Sequence, residues 1–134
     1  MRPVARRLAI LDDNQDLLER RLAWLRAVLP GVVAQRVCAA MVIGSVAAGR
    51  ARDGSDVDLL LVLARGTPRR QDYAWWDREV APALDGQERF PLQPLFVGRD
   101  AVRTSEPHLA AAIRGGLRLW DPERVFDDQP ESRT

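Results

Sequence analysis

Two short, strongly apolar runs enclose the polar segment 44–58, and this arrangement limits what the chain can fold into. The runs are Val37–Ile43 and 59–63. Apolar runs of this length, bounded by turn residues, are typical of buried strands. The second run is apolar throughout, which predicts that both of its faces are covered. We therefore expect two central strands of a sheet, 37–43 and 56–63, joined by small and polar residues.

The joining segment ends in two carboxylates, Asp56 and Asp58. Side chains two positions apart on a strand point to the same face of the sheet. Burial of two neighbouring carboxylates is costly unless a cation or a hydrogen-bond network compensates them. Oxygen ligands of this kind suit Mg²⁺ or Mn²⁺, with phosphates and water completing the coordination. A lone Asp-x-Asp is also common on surfaces and in turns, so its surroundings must decide its meaning.

The same segment begins with Gly44 and Ser45, directly after the first strand. We predict a short helix over 46–50, where the first N–H groups favour an anion and the Ser45 hydroxyl adds a donor. Gly44 and Gly49 allow the backbone to approach a ligand or a neighbouring chain closely. Arg50 and an alanine stand where a P-loop needs Lys followed by Ser or Thr, and no dinucleotide fingerprint occurs. The segment therefore predicts a site for a metal-bound triphosphate.

The combined pattern, Gly-Ser-x-x-x-Gly, five residues, then Ser-Asp-x-Asp, resembles the signature of the DNA polymerase β-type nucleotidyltransferase superfamily. The chain's small size resembles the minimal nucleotidyltransferases that are often encoded beside a HEPN-domain partner. The resemblance implies catalytic and metal-binding roles for Asp56 and Asp58. It implies nucleotide binding by Gly44, Ser45, Gly49, Ser55 and Arg50, although Ser55 could instead cap a turn.

The reaction that the resemblance implies is transfer of a nucleoside monophosphate from an NTP to a hydroxyl group, with two metal ions at the carboxylates. AMP is the expected group and ATP the expected donor. The acceptor is a hydroxyl of a partner protein, as in a toxin-antitoxin pair with a HEPN-type toxin, or of a small molecule. Mg²⁺ or Mn²⁺ is the expected cofactor.

The resemblance also implies a third carboxylate on a later strand, and the chain departs from the pattern there. The expected strand, 89–97, contains no acid, and Gln93 lies near the expected position. A glutamine side chain serves neither as a general base nor as a strong metal ligand. Glu88 precedes the strand but has the opposite parity, so it is expected to point elsewhere. The alternative function is therefore a catalytically degenerate module that acts by protein binding, as an antitoxin or scaffold.

Helical patterns surround these strands. A helix is expected from Asp12 or Asp13 to Leu29, with Pro30-Gly31 as its end, and its leucine face packs on the sheet or meets a partner. Further helices are predicted over 69–84 and 107–114, and a last strand over 117–120. In the helix over 69–84, two adjacent tryptophans cannot share one stripe. One is expected in the core, and the other is available to line a nucleobase or partner site.

This succession of elements predicts a single α+β domain, α/β-like, with a mixed sheet flanked by helices and an added N-terminal helix. We assign residues 1–34 to a helical extension packed on the domain, 35–120 to a nucleotidyltransferase domain and 121–134 to a flexible tail. The prolines of the strand 89–97 indicate an edge position or a bulge.

Composition narrows the setting in which such a domain works. The 134 residues are 46% hydrophobic and 29% charged, which is enough for one core. A net charge of +1 gives no general attraction to nucleic acid. No apolar run reaches membrane-spanning length, no export signal is recognised at the N-terminus, and the single Cys38 excludes a disulfide framework. We therefore expect a cytoplasmic protein without a membrane partner, and the composition does not indicate nucleic acid as a partner.

Overall fold

Four strands form one mixed sheet in the order β3-β2-β1-β4. The computed structural model describes residues 2–52, 55–84, 90–104 and 106–127, with side chains from residue 15 onward. The strands are β1 (Val37–Ile43), β2 (Val57–Leu63), β3 (Leu92–Val97) and β4 (Leu117–Trp120). β1 runs antiparallel to β2 and β4, whereas β2 runs parallel to β3. This mixed sheet with its helices confirms the expected α+β class.

The helices lie on both faces of the sheet. They are α1 (Arg2–Val33), α2 (Gly44–Ala47), α3 (Arg70–Trp75), α4 (Ala81–Leu84), α5 (Arg99–Thr104) and α6 (Pro107–Arg114). A π-helical segment, Trp76–Val80, joins α3 to α4, and a 3₁₀ helix, Val125–Asp127, follows β4. Among the described residues, none of the helices combines the length and hydrophobicity that crossing a membrane requires.

Two cores hold the sheet between its helices, because the side chains of β2 alternate between the faces. One face packs on α1, α3 and α4 through a core that includes Leu25, Leu29, Leu59, Leu61 and Trp75. The other face packs on α5, α6 and the 3₁₀ helix through Met41, Leu60, Val62, Val102, Ile113 and Phe126. Every residue of β2 except Asp58 is buried, which confirms that this strand is covered on both faces.

Helix α1 is longer than predicted at both ends. It begins at Arg2 instead of Asp12 or Asp13, since a proline is tolerated in the first turn and nothing else interrupts the segment. It continues through Pro30 to Val33. Leu29 and Val33 are fully buried, and we attribute the continuation to this packing, which outweighs the one hydrogen bond that Pro30 cannot make. The prediction that Pro30-Gly31 ends the helix was therefore wrong.

Both adjacent tryptophans lie in the core, so neither is available to line a ligand site. Trp75 is 1% exposed and Trp76 is 3% exposed. The wider turn of the π-helical segment starts at Trp76 and changes the angular step between neighbours, which a regular helix would keep near 100°. Both rings approach Phe96 of β3, at centroid distances of 6.3 and 6.4 Å.

The two outer strands each have a backbone group that is held by a side chain. On β3, the N–H of Phe96 donates to the hydroxyl oxygen of Tyr73 at 3.2 Å. On β4, the carbonyl of Arg118 accepts from the guanidinium of Arg26 in α1 at 3.1 Å. β3 begins at Leu92, later than expected, and its edge position agrees with the prediction from its prolines.

The first part of the segment assigned to a tail is folded against the sheet. The carboxylate of Asp121 accepts from the N–H groups of Val125 and Phe126, at 2.7 and 3.0 Å. Phe126 is 2% exposed within the second core. Residues 121–127 therefore belong to the folded domain, and 128–134 lie outside the described residues.

Candidate nucleotide site

The two motif carboxylates stand at the start of β2, on the face that carries the second core. Asp56 precedes the strand and is exposed, whereas Asp58 is half-buried. Asp58 lies opposite Ile43, the last residue of β1, and beside Gln93 of β3. The end of β1, the start of β2 and the start of β3 therefore meet at Asp58.

Gly44 turns the chain from β1 into α2 directly against Asp58. Its φ is +79°, a backbone conformation that residues with a Cβ rarely adopt. A Cβ at this position would lie 2.5 Å from the Oδ2 atom of Asp58, which is shorter than real Cβ contacts. Glycine is required here by its backbone angle and by the space that the carboxylate occupies. The sequence predicted a close approach at Gly44 but did not identify Asp58 as the neighbour.

The turn that follows Gly44 is closed by its own backbone. The carbonyl of Ser45 accepts from the N–H of Arg50 at 2.8 Å, and that of Gly44 accepts from the N–H of Ala48 at 3.0 Å. The helix starts two residues earlier than predicted and places Ser45 in its first turn, where helical N–H groups lack intrahelical partners. Val46 is buried and anchors the turn in the first core, while Gly49 and Arg50 are exposed.

Ser55 stabilises the loop before the carboxylates. Its Oγ accepts from the N–H of Arg52 at 2.7 Å, and its own N–H donates to the Arg52 carbonyl at 3.0 Å. These bonds match the turn-capping alternative for Ser55, and they hold the backbone next to Asp56. A further bond, from the N–H of Val57 to the carbonyl of Pro91 at 2.7 Å, ties the start of β2 to the start of β3.

The electrostatics of the pair follow from burial and repulsion. Partial burial raises the pKa of the Asp58 carboxyl, and the neighbouring charge of Asp56 raises this pKa further. Both causes disfavour the ionised form of Asp58 when no cation is bound. A cation between the two carboxylates would remove the repulsion, so the electrostatics fit a hard divalent ion.

Gln93 takes the position beside Asp58 at which a third carboxylate was expected. It pairs with Asp58 in the parallel ladder and is exposed. Among the described residues, no group of three or more histidine, cysteine, aspartate or glutamate side chains could hold a metal ion. Glu88, the other candidate for a third acid, lies in 85–89, outside the described residues.

Three concave clefts lie away from the motif residues. Clefts of about 390 and 560 Å³ are lined by residues that include Leu63 and Ala64, at the opposite end of β2 from Asp58. A third, of about 370 Å³, lies around Arg99 and Arg124. None of the three contains a motif residue.

Comparison with known proteins bears on this arrangement of glycine turn and carboxylates. Residues 31–90 match the nucleotidyltransferase domain family. The matched region contains α2, β2 and all motif residues from Gly44 to Asp58. No curated protein matches the chain.

One solved structure shares the fold of this chain. It is described as the crystal structure of the toxin-antitoxin with AMP-PNP, and the alignment covers 76% of this chain and 77% of that one. The TM-score is 0.52 and the sequence identity is 16%, so the likeness concerns the fold alone.

Proposed function

We propose that the chain is a metal-dependent nucleotidyltransferase that transfers AMP from ATP to a hydroxyl of a partner protein or small molecule. The observation that carries this proposal is the contact between Gly44 and the carboxylate of Asp58. A glycine turn that leaves room for a carboxylate would bring backbone N–H groups for phosphate close to a side chain that could hold a metal ion. The nucleotidyltransferase match over 31–90 supports the same assignment.

Each residue of the motif has a part in holding the donor nucleotide. The backbone at Gly44 and the hydroxyl of Ser45 would bind the β- and γ-phosphates, with Gly49 allowing the turn and Arg50 lying beside it. Asp56 and Asp58 would hold Mg²⁺ or Mn²⁺, which when bound supplies positive charge to the phosphate oxygens. Ser55 stabilises the loop that precedes Asp56 through its hydrogen bonds to Arg52. The protein thus positions charge, while bonds form and break only in ATP and the acceptor.

A labelling experiment tests the proposal. The chain is incubated with ATP labelled at the α-phosphate, Mg²⁺ and candidate acceptors, and transfer of label is measured. The double substitution Asp56→Asn and Asp58→Asn should reduce transfer by at least about 100-fold, because the metal loses its ligands. Asp77→Asn, at an exposed position on the π-helical segment, is the matched control and should leave transfer unchanged. Label transfer that persists in the double variant would contradict the mechanism.

Gln93 supports a second candidate, a degenerate module that acts on its partner by contact alone. In this case the chain would serve as an antitoxin or scaffold, and its carboxylates would be irrelevant to its effect. Calorimetry with Mg²⁺ and a non-hydrolysable ATP analogue distinguishes the two candidates. A transferase should bind the analogue only when Mg²⁺ is present, whereas a contact module should show no metal-dependent binding.

The partner and the setting are part of the proposal. The solved structure of a toxin-antitoxin with AMP-PNP supports a protein as the partner. A HEPN-type toxin is the specific partner that we propose. A cytoplasmic location is part of the proposal, because ATP and Mg²⁺ are both available there. Co-purification of this chain with a candidate toxin, followed by the labelling experiment, would test the acceptor directly.

A further inference from the structure

The side chain that pairs with Asp58 is neutral, so it cannot serve as the third carboxylate of the site. In the ladder between β2 and β3, Gln93 is the residue paired with Asp58. Its amide oxygen cannot take a proton from a hydroxyl group. If ATP and a metal bind at Gly44, Asp56 and Asp58, the described part of the chain offers no third carboxylate beside this pair to accept the proton of the incoming hydroxyl.

The space next to Gln93 is open to another molecule. Gln93 and Leu95 are two positions apart on β3, so their side chains share one face of the sheet. Both are exposed, and 43% of the surface of Leu95 is accessible to solvent. Leu95 pairs with Leu60, which lies two residues along β2 from Asp58. An apolar side chain therefore stands exposed next to the carboxylates. A small sugar-like acceptor gains little from such a contact, whereas a protein surface can cover it.

We propose that the acceptor supplies the third carboxylate: a protein that carries an aspartate or glutamate next to its receiving hydroxyl, seated over Gln93 and Leu95. This inference rests on the proposed transferase function and adds the chemistry of its substrate. The acceptor's carboxylate lies next to Gln93, the uncharged residue beside Asp58. A fixed acid at position 93 would repel Asp56 and Asp58 whenever no cation is bound, and Gln93 avoids that repulsion.

The bond changes balance with this arrangement. The acceptor's hydroxyl oxygen forms a bond to the α-phosphorus of ATP. The bond from the α-phosphorus to the oxygen that bridges to the β-phosphorus breaks, and pyrophosphate leaves with the electron pair. The hydroxyl proton passes to the acceptor's own carboxylate. No oxidant or further reactant is needed.

Such an arrangement couples acceptor binding to nucleotide binding. A carboxylate that arrives with the acceptor favours the bound cation, so the acceptor should tighten binding of the metal-nucleotide complex. By thermodynamic reciprocity, the metal-nucleotide complex should tighten acceptor binding by the same factor. An acceptor in which Asn or Gln replaces this Asp or Glu should not tighten binding of the metal-nucleotide complex, and the complex should not tighten binding of that acceptor.

The test uses the full chain and two pools of peptides of equal length. In one pool a central serine, threonine or tyrosine is flanked by Asp and Glu, and in the other by Asn and Gln. The binding probe is Mg²⁺ with an ATP analogue that has a methylene group between its α- and β-phosphates, measured by calorimetry. Transfer from α-labelled ATP to each pool is measured in parallel. The variants are Gln93→Asp, Gln93→Asn as its isosteric control, and Glu88→Gln.

For the wild-type chain, the acidic pool should tighten binding of the Mg²⁺-analogue by at least about 10-fold and should be labelled at least about 10-fold faster than the neutral pool. Gln93→Asp should label both pools at similar rates, because it carries the missing carboxylate itself. Gln93→Asn, which also lacks a carboxylate, should keep the preference of the wild type for the acidic pool. Glu88→Gln should keep the wild-type affinity for the Mg²⁺-analogue.

The outcomes separate this inference from the function on which it rests. Equal effects of the two pools on the wild-type chain, or loss of analogue binding in Glu88→Gln, would overturn the inference and leave the transferase function standing. An unchanged preference for acidic peptides in Gln93→Asp would also overturn it. If neither the wild-type chain nor Gln93→Asp binds the analogue with Mg²⁺, the proposed function fails as well.

Discussion

At the scale of the residue, Gly44 is the position where one methyl group should disturb the site most. In Gly44→Ala the new Cβ overlaps Oδ2 of Asp58, and the positive φ adds strain of about 1–2 kcal/mol. Gly49→Ala is the matched control, since Gly49 has a φ of +73° but nothing within 4 Å of its Cβ position. Gly44→Ala should lose more stability in urea than Gly49→Ala, because the overlap adds to the strain that both share. Only Gly44→Ala should lose metal-dependent nucleotide binding by calorimetry. Equal binding by the two variants would contradict the assigned role of the contact.

The raised pKa of Asp58 predicts how stability depends on pH. Its pKa is raised above the usual value of 3.8, so the folded state binds its proton more tightly than the unfolded state does. The stability that this residue contributes is therefore full below pH 3.8 and is lost as pH rises through the raised pKa. Asp58→Asn should be more stable than the wild type at pH 7, and the difference should shrink towards pH 3. Urea unfolding across this range, without metal, measures it, and a constant difference would contradict the account.

At the scale of the element, the hydroxyl of Tyr73 should matter to strand β3. Tyr73→Phe keeps the edge-to-face contact with Phe96, whose ring centroids are 5.0 Å apart, and removes only the acceptor of the Phe96 N–H. The loss should be about 1 kcal/mol in the free energy of unfolding, because that N–H loses its partner within the protein. Chemical denaturation measures this loss. A change below about 0.3 kcal/mol would indicate that water replaces the hydroxyl at no cost.

Elements with strong local signals could be predicted from the sequence, and those that depend on distant packing could not. Strand β1 and helix α6 have the predicted bounds because apolar runs, a proline at the first helical position and Gly115-Gly116 mark them locally. The continuation of α1 past Pro30 depends on burial of Leu29 and Val33 by the sheet, which no local pattern reports. The π-helical segment was missed for the same reason.

The same division applies to the candidate site. The residue types and spacing of Gly44, Asp56 and Asp58 could be recognised because they lie within one short segment. The pairing of Gln93 with Asp58 agrees with the expectation that Gln93 lies near the position of the third acid. The sequence could not show that Gly44 touches Asp58, because that contact depends on how β1 and β2 pair.

At the scale of the whole molecule, Phe126 should hold residues 121–127 against the second core. Phe126→Ala should lower the free energy of unfolding by about 3–5 kcal/mol, as expected for a buried aromatic ring. Val125→Ala, at the neighbouring half-buried position, is the control and should cost about 1 kcal/mol. Urea denaturation monitored by tryptophan fluorescence measures both. A loss near 1 kcal/mol for Phe126→Ala would mean that residues 121–127 are peripheral to the fold.

The contact between Gly44 and Asp58 also has an evolutionary consequence. The three heavy atoms nearest to a Cβ at position 44 would all belong to the side chain of Asp58. In lineages that have lost the acid at position 58, the steric demand for glycine disappears, and residues that tolerate a positive φ, such as asparagine, become acceptable at position 44. The two positions should therefore change together among related sequences. Their joint variation would separate lineages that keep a working donor site from those that retain only the fold.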